Sequence, residues 1–419
     1  MSAQGLDRRL GTFDAVVIGL GAMVGAGVFA AIGPAAGAAG SGLLIGLAVA
    51  AAIAYCNATA SAQLAAQYPT SGGTYVYGRE RLGPWSGFTA GWCFVVGKTA
   101  SCAAMALTFA GYLAPEDVWL RRGLALAAIA ALTFVSCRGV TRTAGLTRIL
   151  VTVTLLVLAI VVVLLLSADG VPVAELTGRL GEATPYGVLQ SAGLLFFAFA
   201  GYARIATMGE EVRNPARTIP RAIPLALAIA VGVYLLVAGS ALRAVGPGLL
   251  ADSPAPLEAA LTSSGSGWAG PLVQVGATVA SLGALLALLA GVGRTSLAMA
   301  RNGDLPTVLA EVHPRYRVPA RAQVAVGVVV AVLVSTTDLR GVIGFSSFGV
   351  LLYYAIANVS AFTQDTAHRR WPRTLNVLGL LGCLTLVATL PLSAVLAGTV
   401  VVAVGLVGRW LVTRTRPHG

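Results

Sequence analysis

The sequence predicts an all-α membrane protein: twelve transmembrane helices, ten of them forming a five-plus-five inverted repeat in which helices 1 and 6 are broken. Three observations predict this. Hydrophobic residues make up 57% of the chain and charged residues 11%, against about 45–50% and 25% in soluble domains. Apolar segments near the ~20 residues that span a bilayer recur at 13–39, 42–66, 84–113, 122–137, 144–167, 187–207, 223–242, 269–293, 322–336, 341–362, 374–390 and 393–411. Glycines interrupt the first and the sixth of them, as expected of two halves related by an axis in the membrane plane. The implied division is a tail at 1–12, a first repeat at 13–167, an external connection at 168–186, a second repeat at 187–365, and helices 11–12 with a tail at 366–419.

The first span carries Gly19-Leu-Gly-Ala-Met-Val-Gly-Ala-Gly27. Each glycine costs a helix interior roughly 1 kcal/mol relative to alanine, so this helix is weakest in its own middle. In hydrocarbon a broken backbone is tolerated only where protein or a watery cavity meets its freed N–H and C=O groups, and these then serve as ligands. The same glycines also suit close helix packing. The second span ends in Pro69-Thr-Ser-Gly-Gly-Thr-Tyr75, where Pro69 and Gly72-Gly73 stop the helix. The tyrosines after it suit an amphipathic segment at the inner surface.

The third span holds Lys98 at its midpoint. Gly91 and Gly97-Lys98-Thr99 imitate a phosphate loop, but five residues separate the glycines where that motif has four, and no strand precedes them. Ser136–Arg142 reads as a tight inner loop, and the polar stretch Asp169–Thr184 as an external connection. The sixth span, Phe196-Phe-Ala-Phe-Ala-Gly-Tyr202, is interrupted at Gly201 and runs on into Glu210-Glu-Val-Arg-Asn-Pro215.

With the N-terminus inside, 21 of the 28 basic residues fall on the cytoplasmic side and five outside; Lys98 and Arg204 lie within spans. This bias places both termini in the cytoplasm and makes the net charge of +12 a matter of topology. Nucleic-acid binding is not expected, because the basic residues do not gather with aromatics on one folded face. The five cysteines lie in or beside spans without C-x-x-C spacing, so they read as small buried hydrophobes, and neither metal nor cofactor is expected. The polar start Met1–Thr12 runs into a span too long and glycine-broken for the h-region of a cleaved leader.

The glycine-broken first span followed by P-x-x-G-G-x-Y resembles the amino acid–polyamine–organocation permeases. The sixth-span run F-F-A-F-x-G-Y with E-E-x-x-N-P-x-x-x-I-P is its most specific match, and Arg294-Thr-Ser-Leu-Ala-Met-Ala-Arg-Asn-Gly-Asp-Leu-Pro306 resembles the signature after the eighth span. The resemblance covers 13–320; the last two spans fit only by hydropathy. It implies a leucine-transporter-like fold and secondary transport of an amino acid by alternating access.

The resemblance also assigns roles. The restarting N–H groups at Gly25, Ala26 and Gly27 would hold a substrate carboxylate, as a helix N-terminus favours an anion. The carbonyls of Ala22, Met23, Phe197, Ala198 and Ala200 would accept the substrate ammonium, and Phe199 and Tyr202 would wall the side-chain pocket. No acid falls mid-span, so a zwitterionic or neutral substrate is favoured over a polyamine. Read from the residues alone, Arg204 either snorkels to the interface or serves a gate or pocket, and Glu210 and Glu211, near Asn214 at the cytoplasmic exit, are either gate residues or charges of a solvated loop that holds topology. Family members commonly carry a coupling lysine in the fifth span, and that position falls on Thr154 here. Lys98, the only lysine in the chain, is therefore the candidate for proton coupling, since a desolvated lysine can release a proton that arginine keeps. A fixed positive charge is the competing role for it.

A membrane enzyme lacks support: there is no H-E-x-x-H, no intramembrane histidine and no mid-span carboxylate pair. A channel would need a continuous polar lining, whereas the polar features cluster at two breaks. An exchanger without proton coupling and a transport-inactive amino-acid sensor on the same fold remain as alternatives. The expected partners are an amino acid or amine, the lipid bilayer and protons, and the expected location is the cell membrane.

Overall fold

The computed structural model describes residues 10–70, 72–139, 144–172, 176 and 179–415. The expectations for the tail before Leu10, for loop residues 140–143 with Arg142, for part of the external connection and for Arg416 lie outside these residues. Among them there is no β-strand, only an isolated bridge between Leu10 and Val212. Ten helical stretches are long and apolar enough to cross a membrane, and two further apolar helices, Ala320–Thr336 and Arg373–Thr389, have 17 residues each.

The first span is built from α1 (Thr12–Met23), α2 (Ala26–Ala30) and α3 (Ile32–Ala39), and α4 (Leu43–Gln67) forms the second. The short α5 (Thr74–Leu82) leads into α6 (Pro84–Leu113), α7 (Val118–Cys137) and α8 (Ala144–Ser167). The second half opens with α9 (Pro185–Phe199) and α10 (Ala203–Ala206). It continues with α11 (Pro215–Asp252), kinked at Gly246 where φ is 73°, and with α12 (Pro256–Ser263) and α13 (Gly270–Arg301). The remaining helices are α14 (Ala320–Thr336), α15 (Leu339–Phe362), α16 (Arg373–Thr389) and α17 (Leu392–Thr415).

Packing follows residue size. The alanine- and glycine-rich α6 lies at the centre, against α13 and α15, because small side chains let helix backbones approach. α7 and α17 sit at the periphery and present Leu, Val and Trp outward. The two halves exchange partners: α1 packs on α11 and α8, whereas α9 packs on α4 and α15. That reciprocity is what a half-turn relating the two sets of helices requires, and it brings the two broken helices together at the middle of the bundle.

The expected amphipathic segment after the second span is different in detail. α5 is a helix, but Tyr75 and Tyr77 are buried instead of lying at a surface. The Tyr77 hydroxyl donates to the carbonyl of Ala206 at 3.2 Å and the Tyr75 hydroxyl to Asp304 at 2.8 Å. Buried hydroxyls with such partners pull the segment under the bundle. Four of the five cysteines are buried and all five are free thiols.

Candidate functional site

The first break falls within the glycine run. α1 ends at Met23, Val24 and Gly25 leave helical geometry (ψ of −131° at Gly25), and the helix restarts at Ala26. The second takes another form. After Phe199 the chain tightens into a 3₁₀ turn over Ala200–Tyr202 before the four-residue α10 resumes. Gly201 explains the turn: a side chain there would fall on the backbone of Ala22 and Met23, so only glycine lets the two helices meet. Gly27 is the counterpart, because an added Cβ would lie 2.7 Å from the Cα of Ala198. Close packing and breaking are thus both served by one set of glycines.

Carbonyls at the two breaks are met by side chains from other helices. The Tyr234 hydroxyl of α11 lies 2.6 Å from the Met23 carbonyl oxygen and 3.0 Å from that of Ala198, touching both breaks at once. The Ala200 carbonyl accepts from Lys98 Nζ at 3.2 Å and from the Tyr354 hydroxyl at 3.3 Å. Each acceptor left unpaired in hydrocarbon costs several kcal/mol, so these contacts make the breaks tolerable. Rings frame the arrangement: Phe199 packs on Tyr234 with centroids 5.0 Å apart, and Tyr202 on Tyr354 at 5.0 Å.

The structure therefore brings Met23, Gly27, Ala198, Phe199, Ala200, Tyr202 and Lys98 into one buried region, with Ala22 against Gly201 and Phe197 on the last turn of α9. Ala26 begins the restarted helix. Thr154 stands apart. It lines a void of about 10 Å³ with Gly21, Val24, Gly25, Val151 and Ala280, beside the first break, and its hydroxyl donates back to Leu150. Lys98 is at the second break, so it does not fill the place that Thr154 occupies.

Arg204 and Glu211 lie at the C-terminal end of the sixth span and pair at 3.6 Å. That contact is local, between a helix and its own following loop. The link across this end is main-chain: Leu10 N–H donates to the Glu211 carbonyl at 3.1 Å and Arg213 N–H to the Leu10 carbonyl at 2.8 Å. Glu210 belongs to the same loop, and Asn214 starts α11 in the left-handed region, which asparagine tolerates. At the other end Tyr112 donates to the Phe29 carbonyl at 3.2 Å, and the N–H of Leu257 on α12 approaches the same hydroxyl at 3.5 Å.

Sequence reasoning missed Tyr234 and Tyr354. The signal that would have found them is the hydroxyl itself: each is a polar ring near the middle of an apolar span, where it must find a buried acceptor.

Two interrupted helices paired through their carbonyls agree with what the sequence resembles, and comparison with known proteins decides the matter. A sequence model of the amino acid permease family matches residues 10–411. The chain belongs to this family. The permease is 58% identical over 412 residues to an uncharacterized transporter of Mycobacterium tuberculosis, covering 98% of this chain and 93% of the relative. It is 27% identical over 444 residues to the branched-chain amino acid permease BcaP of Bacillus subtilis, covering 98% and 94%. Cationic amino acid transporter 4 of Homo sapiens is 32% identical over 386 residues, 85% of this permease and 59% of that protein. Membership brings with it the leucine-transporter-like fold and a transport role for this multi-pass membrane protein.

Proposed function

We propose that this permease carries a zwitterionic or neutral amino acid across the cell membrane by alternating access, coupled to protons through Lys98, with both termini cytoplasmic. The observation that supports it most is the pairing of two helix breaks whose carbonyls are held by the side-chain donors Tyr234, Tyr354 and Lys98. A substrate ammonium offers three N–H donors to the same carbonyls, and its carboxylate faces the N–H groups of Gly25, Ala26 and Gly27. Phe197, Phe199 and Tyr202 shape the side-chain pocket. The ammonium of Lys98 beside the second break repels a cationic side chain, and the near full-length likeness to a permease named for branched-chain amino acids points the same way.

Lys98 is 7% exposed and lies in the interior beside the second break. As an ammonium it holds the Ala200 carbonyl; on giving up a proton it loosens that hold, which ties proton release to movement of helix 6. Arg204, Glu210 and Glu211 act in this reading at the inner gate, with the Leu10 bridge as its main-chain part. The domain division follows the repeats, at 13–167 and 187–365.

The test is uptake of each of the twenty labelled amino acids into proteoliposomes, with and without an imposed pH gradient. Accumulation of neutral amino acids that rises with an inward proton gradient is expected. Lys98→Arg and Lys98→Ala should both lose gradient-driven accumulation, whereas Lys98→Ala keeps counterflow because a neutral residue imitates the deprotonated form. Wild-type, pH-dependent accumulation by Lys98→Arg would exclude titration and leave Lys98 as a fixed charge.

A further inference from the structure

We infer that Tyr234 is a built-in stand-in for the substrate's ammonium group, which lets the carrier reorient with nothing bound and so makes it a net transporter and not an obligatory exchanger. The inference rests on the amino-acid transport reading above and deepens it by fixing the mode of transport.

The argument starts from the cost of broken backbone. The carbonyls of Met23, Ala198 and Ala200 belong to buried residues, and an unmet acceptor there opposes any movement that passes through it. A bound ammonium meets them while substrate is aboard. On the return stroke there is no substrate, so a carrier without internal donors is held back until a new one binds, and it can only exchange. Here the protein supplies side-chain donors of its own to those carbonyls. The Tyr234 hydroxyl spans the Met23 and Ala198 carbonyls, one on each broken helix, and Lys98 and Tyr354 cover Ala200.

The chemistry of the stand-in also suits displacement. A tyrosine hydroxyl has one proton, yet Tyr234 faces two carbonyls at 2.6 and 3.0 Å, so it satisfies one fully and the other in part. An ammonium brings three protons and a charge, and charge-assisted bonds are roughly twice as strong as neutral ones. Substrate therefore displaces the hydroxyl, and the hydroxyl returns when substrate leaves. Its ring stays anchored on Phe199 throughout. α11, which carries Tyr234, packs on both α1 and α4, so the hydroxyl is delivered from a helix that is itself unbroken at that level.

The experiment separates two modes in proteoliposomes: net uptake into vesicles without internal amino acid, and counterflow into vesicles preloaded with it, using the neutral amino acid that the uptake panel identifies. Wild type should perform both at comparable rates. Tyr234→Phe keeps the ring and removes the proton; it should slow net uptake about tenfold or more beyond whatever it does to counterflow, the cost of stranding a buried acceptor on the empty return. Tyr354→Phe, which leaves Lys98 on Ala200, should show the same split more weakly, and it serves if Tyr234→Phe inserts poorly. Three results would overturn the inference: wild type that exchanges but gives no net uptake, Tyr234→Phe slowing both modes equally, or Tyr234→Phe changing neither. Failure of wild type to move any amino acid in either mode would instead sink the transport reading on which this one rests.

Discussion

Gly27 and Gly201 do their work by what they lack. A side chain at Gly201 would occupy the carbonyl of Ala22, and one at Gly27 would press on Ala198. Gly201→Ala and Gly27→Val should therefore insert and express normally yet lose at least about nine-tenths of uptake, since small misplacements in a positioned site cost on the order of a hundredfold. Uptake near wild type by either variant would remove the cradle from that position. A second residue makes a pH-dependent prediction. Glu258, on the short helix α12 outside the spans, receives a hydrogen bond from Gln274 at 2.9 Å while its other carboxylate oxygen is buried without a partner. Burial pushes its pKa up, against a smaller downward pull from Gln274. A raised carboxyl pKa means that the fold favours the protonated form. Its contribution to stability is full below the unfolded value, about 4.3, and is lost as pH rises through the folded value. Glu258→Gln should accordingly melt higher than wild type at pH 7 in detergent, with the difference vanishing near pH 4; a difference that grows on acidification would reverse the sign and refute the argument. The effect is modest because Glu258 is only half-buried.

Among elements, the junction of α5, α6, α17 and the loop after α13 holds a buried ionic cluster. Asp304 accepts from Arg409 of α17, from Arg79 at 3.4 Å and from the Tyr75 hydroxyl at 2.8 Å, and Asn302 donates to that same hydroxyl at 2.7 Å. The Arg409 guanidinium lies over the rings of Phe88 and Trp85, at 4.7 and 5.1 Å from their centroids. Asp304 and Arg409 are both almost fully buried, so removing the carboxylate strands a cation. Asp304→Ala should cost about 3–5 kcal/mol, read as a melting temperature lower by several degrees, and Asp304→Leu combined with Arg409→Leu should recover much of the loss. Equal stability of Asp304→Ala and wild type would mean that α17 is not fastened here. The resemblance to the signature Arg301-Asn-Gly-Asp-Leu-Pro306 was legible in the sequence. Its partner Arg409, about a hundred residues on, was not, because nothing in a linear pattern says which arginine among 27 meets which acid.

At the scale of the whole molecule, the charge bias predicts an orientation with both termini in the cytoplasm. A reporter fluorescent only in the cytoplasm, fused after Gly419, should light up, and one active only outside should stay silent when fused there; the reverse result would invert the topology. By itself the sequence determined the membrane class, the ladder of spans, the positions of the two interruptions and the family, because each is written in short-range features: apolar run length, glycine spacing and contiguous motifs. Tertiary structure decided the rest. It turned the second interruption into a 3₁₀ turn, since Gly201 must clear Ala22. It buried Tyr75 and Tyr77 where their hydroxyls find partners, and it carried Lys98 to the second break and away from Thr154. It also placed the hydroxyl of Tyr234 between two carbonyls far from it in the chain. Those outcomes depend on which distant backbone groups are left without a hydrogen bond once the helices pack, and that is settled only when the whole bundle has closed around them.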